Sequence, residues 1–179
     1  MATKARTRRY VLLLRGINVG HHNKVPMADL REIVAEIGCT DVATYIQSGN
    51  VIATSTLAAK TLASRVESAL EKRFGFGPRT MVRTRAQITK VLAANPFADR
   101  DPSKVHVGFL VSAPPKKPTV PSTMESGADR AIIIGAHIYL YYPNGVGSTE
   151  MTRTPMWREI NDICTVRSLR TVTKLAEMA

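Results

Sequence analysis

Aromatic residues, cysteines and long apolar runs are all scarce in this sequence of 179 residues. Phe, Trp and Tyr make up 6% of the chain, which leaves few rings for stacking on nucleic-acid bases. Cys39 and Cys164 stand in unrelated surroundings, so we expect buried free thiols in a reducing cytosol. The early apolar run 11–14 stops at Arg15, far too short for a membrane span or a signal-peptide core. These features predict a cytoplasmic protein without membrane association.

Recognisable catalytic motifs are absent as well. The sequence contains no Walker loop, no HExxH zinc motif and no GxSxG nucleophile elbow. The histidines are His21, His22, His106 and His137. The adjacent His21 and His22 side chains point in different directions on most backbones, which argues against a shared metal. No acid–base pair stands out, so the sequence leaves open whether the protein is an enzyme, and it predicts no cofactor and no metal.

Acidic residues are outnumbered, and the imbalance is uneven along the chain, whose net charge is +11. Residues 1–86 contain 14 Lys and Arg against 6 Asp and Glu, a net +8, whereas residues 87–179 contain 11 against 8, a net +3. Part of the first excess lies in a basic tail, residues 4–9, which we expect to be mobile. A basic half attracts polyanions and phosphorylated ligands. The alternative is an ordinary protein from an arginine-rich proteome, because basic charge alone is a weak signal.

The apolar periodicity predicts alternating strands and helices in the first half. Residues 10–14 form an apolar run typical of a buried strand, and apolar residues then recur at helical spacing between Pro26 and Gly38. The later elements are predicted as strands at 42–47 and 51–54, a helix at 57–74 and a strand at 79–83. The Gly49–Asn50 pair favours a two-residue hairpin turn between the second and third strands. This order, β-α-β-β-α-β, is that of a ferredoxin-like unit.

The second half shows a similar order of elements. Strands are predicted at 105–111, 131–134 and 138–142 and near Thr165, a short helix within 114–124, and further helices around 156–163 and from 171. No similarity of sequence between the halves supports a repeat, which rests on element order alone. We therefore predict an α+β protein of two ferredoxin-like lobes with mainly antiparallel sheets. The predicted boundaries are 1–86, a connecting helix and linker at 87–103, and 104–179.

Three short motifs in the first half carry a resemblance to a known family. The motifs are 15–20 (RGINVG), 27–30 (MADL) and 44–51 (TYIQSGNV), and weaker matches follow at 95–97 and in the tail. The chain resembles the bacterial family called domain of unknown function 1697, with which it shares nearly its whole length. The family has no established activity, so the resemblance implies a fold and a site more than a function. His21 and His22 replace the usual Gly and Lys, and Ser168–Leu169 replaces the usual Asn–Trp of the tail.

Polar residues follow the first and second predicted strands. Since these strands run parallel in a β-α-β-β-α-β unit, we expect the two loops to share one edge of the sheet. The predicted ligand-binding residues are Arg15, Asn18, Lys24, Tyr45, Gln47, Ser48 and Asn50. The first helix begins at the same edge and Arg79 arrives there too, which makes a cationic rim suited to phosphate. Ile46, between these residues, is predicted to be core.

A purely structural interpretation of the same residues stays open. In this interpretation the glycines serve only tight turns, and Asn18 and Asn50 only cap those turns. Tyr45 is then a core residue with a satisfied hydroxyl, and Arg15 pairs with a carboxylate such as Asp29.

The favoured hypothesis is a non-catalytic binder of a phosphate-bearing small molecule or a nucleic acid. The alternative is a small-molecule enzyme, a hydrolase or transferase, acting on an anionic substrate at the rim between Arg15 and Asn50. A third hypothesis is a structural or assembly role for the second lobe. The sequence predicts no oligomeric state, and it leaves open whether Thr165, Arg167 and Lys174 join the site.

Overall fold

The computed structural model describes residues 6–114 and 123–179 and divides into two compact units. The first unit comprises Met1–Thr89 and Leu175–Ala179, and the second comprises Lys90–Lys174. Each unit contains its own antiparallel sheet, of four strands in the first unit and five in the second. The predicted α+β class with mainly antiparallel sheets is therefore confirmed.

The first unit contains the predicted alternation of strands and helices. Its elements are β1 (Arg8–Leu14), α1 (Met27–Glu36), β2 (Thr40–Tyr45), β3 (Asn50–Ser55), α2 (Ala59–Phe74) and β4 (Thr80–Thr84). The strand order across the sheet is β2-β3-β1-β4. Because β3 lies between β1 and β2 and is antiparallel to both, β1 and β2 run parallel to each other.

Alternate residues of the strands and one face of each helix form the core of this unit. Tyr10, Leu12 and Leu14 of β1 belong to the same buried cluster as the apolar faces of α1 and α2. The helices end where the sequence predicts. Gly38 follows α1 at a φ of 96°, and Gly75 ends α2 at a φ of 77°, a left-handed conformation that favours glycine.

Two arginines of the predicted mobile tail are part of the sheet, which corrects that prediction. Arg8 and Arg9 begin β1, where they pair with Ser55 and Thr54 of β3. The Arg9 guanidinium also donates hydrogen bonds to the Asp41 carbonyl oxygen at 2.9 Å and to the Thr54 Oγ1 at 3.3 Å. The local charge pattern resembled a solvated tail, but pairing with β3 orders these two residues.

The second unit is built around a sheet of five strands. Its elements are β5 (Val105–Leu110), β6 (Thr123–Ser126), β7 (Asp129–Ile134), β8 (His137–Tyr141), α4 (Pro155–Ile160) and β9 (Cys164–Ser168). The strand order is β6-β7-β8-β5-β9. Two further helices, α3 (Arg85–Ala93) and α5 (Leu169–Met178), each contain residues of both units. Most of the predicted short helix within 114–124 lies outside the described residues, and Thr123 and Met124 begin β6 instead.

None of the helices in the described parts of the chain combines the length and the apolarity that crossing a membrane requires. Cys39 and Cys164 are both buried, and neither forms a disulfide. Burial raises the pKa of the Cys39 thiol, and a hydrogen bond with Ser55 opposes that shift more weakly.

Candidate functional site

Three loops of the first unit meet at one edge of its sheet. Because β1 and β2 run parallel, the loop after β1 (15–26) and the turn after β2 (46–49) leave the same edge. The Leu14 N–H donates to the Gly49 carbonyl oxygen at 2.9 Å. The Arg15 N–H donates to the Arg79 carbonyl oxygen at 2.9 Å, which adds the segment before β4 (75–79). We call these three segments, 15–26, 46–49 and 75–79, the loop edge.

Asn18 joins two of these segments through its side chain. Its Oδ1 accepts a hydrogen bond from the Val25 N–H at 2.9 Å. Its Nδ2 donates to the Val25 and Gln47 carbonyl oxygens, each at 2.9 Å. The residue has a φ of 55°, a left-handed conformation that asparagine tolerates better than most residues. Asn18 therefore holds the first loop, the turn and the start of α1 together, and its amide is occupied in doing so.

Residues 18–23 form a small hairpin within the first loop. The Asn18 N–H donates to the Asn23 carbonyl oxygen at 3.0 Å, and the His22 N–H donates to the Val19 carbonyl oxygen at 3.1 Å. Asn23 has a φ of 51°, and its Nδ2 donates to the Gly16 carbonyl oxygen at 3.0 Å. This hairpin exposes His21 to solvent.

The turn between β2 and β3 has four residues, 46–49, rather than the two predicted. Asn50 is fully buried at the start of β3, where its Nδ2 donates to the Tyr45 carbonyl oxygen at 3.0 Å and to Ser48 Oγ at 2.9 Å. A Cβ atom on Gly49 would lie 2.8 Å from Ile17 Cδ1, closer than real side chains approach. The Gly49–Asn50 pair alone favours a two-residue turn. The burial of the Asn50 amide and its hydrogen bonds to Tyr45 and Ser48 cannot be read from the sequence, so the longer turn was not predicted.

Ile46 is exposed, so its prediction as a core residue is wrong. Its side chain is 52% exposed, and its φ is 51°. A β-branched residue in the left-handed region is a genuine outlier, because Cβ crowds the backbone there. The alternation of apolar residues predicts a strand through this position, but β2 ends at Tyr45 and the turn directs Ile46 to solvent.

The loop edge is rich in cations and has no acidic residue. Its Lys and Arg residues are Arg15, Lys24 and Arg79, and no Asp or Glu occurs in the three segments. Lys24, Arg79 and Gln47 are exposed, whereas Arg15, Ser48 and Tyr45 are half-buried. Helix α1 begins beside them, with Pro26 as its N-cap and no side-chain cap. The carboxylate in its first turn is that of Asp29, which is half-buried.

The seven predicted ligand-binding residues thus separate into two kinds. Five are exposed or half-buried and lie in the loop edge or, for Tyr45, directly before it, namely Arg15, Lys24, Tyr45, Gln47 and Ser48. The side chains of Asn18 and Asn50 are bonded to the backbone of the loops that they hold. Asn23 was not predicted, although an asparagine close to a glycine-containing turn is a usable signal. The sequence contains no signal for the exposure of Ile46.

The polar residues of the tail lie in the second unit. Thr165 and Arg167 are buried on β9, and Arg167 Nη1 donates to Thr165 Oγ1 at 2.7 Å and to the Val166 carbonyl oxygen at 2.9 Å. Desolvation lowers the pKa of Arg167 to about 10. Lys174 is exposed on α5. Within residues 6–114 and 123–179, no three His, Cys, Asp or Glu side chains are close enough to hold a metal ion.

Comparisons with known proteins identify relatives of this chain but indicate no activity. The family model described as "Protein of unknown function (DUF1697)" matches residues 7–139. The chain is similar to a solved structure, that of the conserved bacterial protein SP0830 from Streptococcus pneumoniae, with a TM-score of 0.70 and 22% identity over 97% of this chain and 99% of that one. At this identity the likeness shows the fold alone. No curated protein matches the sequence.

Proposed function

The chain belongs to the DUF1697 family of proteins of unknown function, and from this premise we propose that it is a non-catalytic binding protein whose loop edge holds a phosphorylated ligand. The observation that carries the proposal is the meeting of three acid-free segments at one sheet edge, where backbone bonds fix their positions. Two of the segments contain cations, Arg15 and Lys24 in the first and Arg79 in the third. Such an arrangement concentrates positive charge at one edge of the sheet.

The accessible side chains match the needs of a phosphate group. Arg15, Lys24 and Arg79 can donate charge-assisted hydrogen bonds to a phosphate, and such bonds are stronger than those between neutral groups. Gln47 and Ser48 add neutral donors, and the start of α1 adds the positive end of its dipole. Asn18 and Asn50 act as positioning residues, because they hold the loops that carry the contact groups. The carboxylate of Asp29 works against this attraction and limits the affinity.

The proposal is tested by titrating the protein with inorganic phosphate and with AMP, using isothermal calorimetry at low salt. We expect Arg15→Ala to weaken binding by one to two decades, at about 1.4 kcal/mol per decade. Arg79→Ala should also weaken it, whereas its matched control, Arg65→Ala on an exposed position of α2, should not. Circular dichroism checks that each variant is folded. Absence of binding in the wild type, or equal losses in Arg79→Ala and Arg65→Ala, overturns the proposal.

A hydrolase or transferase acting on an anionic substrate remains the second candidate. The observation that favours it is the exposed pair His21 and His22 on the small hairpin, within the segment that also carries Lys24. Histidine serves as a general base or acid in many enzymes. Incubation with a panel of phosphate esters, followed by phosphate release, tests this candidate. Turnover that falls in a His21→Ala variant supports it over simple binding.

The proposal extends to the architecture: we propose that both units are ferredoxin-like and derive from one ancestral unit. The order β7-β8-β5-β9 in the second sheet matches β2-β3-β1-β4 in the first. The hydrogen bonds that close the end of β1 have counterparts at the end of β5. The Leu14 N–H donates to the Gly49 carbonyl oxygen at 2.9 Å, and correspondingly the Leu110 N–H donates to that of Ala136 at 3.0 Å. The bond from Arg15 to Arg79 corresponds to that from Val111 to Ile163, both at 2.9 Å. Where the first unit has α1, residues 115–122 of the second lie outside the described residues.

A buried arginine repeats in the two units and supports the same proposal. Arg83 of β4 pairs in register with Val11, and Arg167 of β9 pairs with Val107. Each arginine donates from Nη1 to the carbonyl oxygen of the residue before it, at 3.1 Å and 2.9 Å. The arginine lies in the sequence Val-Arg-Thr in the first unit and Val-Arg-Ser in the second. This similarity becomes visible only when β4 is matched with β9.

We also propose that the protein resides in the cytoplasm, where thiols stay reduced.

A further inference from the structure

Two exposed apolar side chains belong to the loop edge. Val19 is 65% exposed and Ile46 is 52% exposed, among the few large apolar residues that the described chain leaves in water. Val19 follows Asn18 in the chain, and Ile46 precedes Gln47. The Asn18 Nδ2 donates a hydrogen bond to the Gln47 carbonyl oxygen at 2.9 Å. The two apolar residues therefore belong to segments that are tied together beside the cations.

Ile46 is held in an unfavourable conformation at this position. Its left-handed φ of 51° is one that glycine or asparagine adopts more easily. Strained residues that persist in a well-packed fold concentrate at ligand sites, where a side chain is needed in a place that relaxed geometry does not supply. A strained apolar group facing water next to a cationic rim is therefore a candidate ligand contact.

We infer that Val19 and Ile46 contact the organic part of the ligand, and that the ligand is a phosphate monoester with an apolar face, such as a flat base or an alkyl chain. This inference rests on the proposed function, since Arg15, Lys24 and Arg79 are the groups that take the phosphate. The cations bind the phosphate end of the ligand, and the exposed apolar pair contacts the organic group attached to the phosphate. A sugar phosphate without an apolar group makes the contacts with the cations but not those with Val19 and Ile46.

Binding of a graded set of phosphates to the full chain tests this inference. The probes are inorganic phosphate, ribose 5-phosphate, AMP and hexyl phosphate, measured by calorimetry. We expect AMP or hexyl phosphate to bind about tenfold more tightly than ribose 5-phosphate, which corresponds to about 1.4 kcal/mol. An advantage for AMP alone identifies a flat base, and an advantage for hexyl phosphate alone identifies an alkyl chain; either result supports the inference.

The double variant Val19→Thr/Ile46→Asn removes the apolar surface while keeping the backbone conformations accessible. Threonine retains the branched shape of valine, and asparagine tolerates the left-handed φ at position 46. We expect this variant to lose the tenfold advantage and to keep its affinity for ribose 5-phosphate. The matched control is Val146→Thr, at a valine of the second unit that is 57% exposed, and it should bind all four probes as the wild type does.

The outcomes separate this inference from the proposed function. If the wild type binds no phosphate at all, both fail. If it binds ribose 5-phosphate, AMP and hexyl phosphate with equal affinity, the inference is overturned and the proposed function stands. If the tenfold advantage survives in the double variant, the ligand is selected by other residues and the inference is overturned as well.

Discussion

At the scale of single residues, Gly49 determines whether the turn at the loop edge can form. It combines a φ of 77° with a position where a Cβ atom would meet Ile17 and Leu14 at 2.8–3.0 Å. We expect Gly49→Ala to lower the free energy of unfolding by about 1–3 kcal/mol, through backbone strain and overpacking. Urea denaturation measures the change. The control is Gly147→Ala, where no atom lies within 4 Å of the added Cβ, and it should leave the stability almost unchanged.

Ile46 and Ile17 are the same residue type in opposite environments. We expect Ile46→Gly to change the free energy of unfolding by less than about 1 kcal/mol, because relief of the left-handed strain offsets the added freedom of the unfolded chain. Ile17 is 2% exposed, and Ile17→Ala should cost about 2–5 kcal/mol. Thermal and urea unfolding of both variants measure the difference. A loss for Ile46→Gly as large as that for Ile17→Ala contradicts the surface position of Ile46.

His106 makes stability depend on pH near neutrality. Desolvation lowers the pKa of this histidine, and the Lys104 backbone opposes that shift more weakly. The unfolded state therefore binds its proton more readily than the folded state does. Stability should be full above the ordinary histidine pKa of about 6.5 and should fall as the pH drops from there toward the lowered folded value.

Urea unfolding between pH 7.5 and pH 5.5 measures this slope. His106→Gln should flatten it, whereas a change at the exposed His22, His22→Gln, should keep the slope of the wild type. An unchanged slope in His106→Gln assigns the pH dependence to another group.

At the scale of elements, the junction between β4 and α3 depends on a capping box. The Gln87 Oε1 accepts from the Thr84 N–H at 2.8 Å, and Thr84 Oγ1 accepts from the Gln87 N–H at 3.3 Å. We expect Thr84→Ala to cost about 0.5–2 kcal/mol of stability, measured by urea unfolding. The control on the same helix is Thr89→Ala, which should be neutral or slightly stabilising because alanine has the higher helix propensity. Equal effects of the two changes rule out the cap.

At the scale of the whole molecule, the net charge of +11 predicts salt-dependent attraction to polyanions. Binding to a short DNA duplex should weaken as salt rises, with a log–log slope of about −0.9 for each phosphate neutralised. If the loop edge makes the contact, the double variant Lys24→Ala/Arg79→Ala should reduce that slope by roughly 1.8. The control Lys60→Ala/Arg65→Ala, on α2, should change it less. Absence of binding at low salt removes nucleic acid from the candidate ligands.

Local patterns in the sequence were sufficient to predict the elements of the first unit and the edge that two of its loops share. Apolar periodicity and glycine stops predicted α1 and α2, because helix formation depends mainly on nearby residues. The predicted order of strands and helices in the first half implied that the loops after β1 and β2 share an edge, and the bond between Asn18 and Gln47 joins them there. The motif 44–51 marked the turn but not its length.

Local sequence patterns therefore specify the α+β class, the order of elements in the first half and the clustering of cations with asparagines at one edge. The role of each residue at that edge depends on the folded chain. The Asn18 amide donates to the Gln47 carbonyl oxygen on another loop, so its structural role depends on a long-range contact. Asn50 bonds locally to Tyr45 and Ser48, and its role depends on the fold through its complete burial. The exposure of Ile46 likewise depends on how β2 ends and the chain turns toward β3. The sequence contains the apolar side chain, whereas the fold decides whether it faces the core or the water.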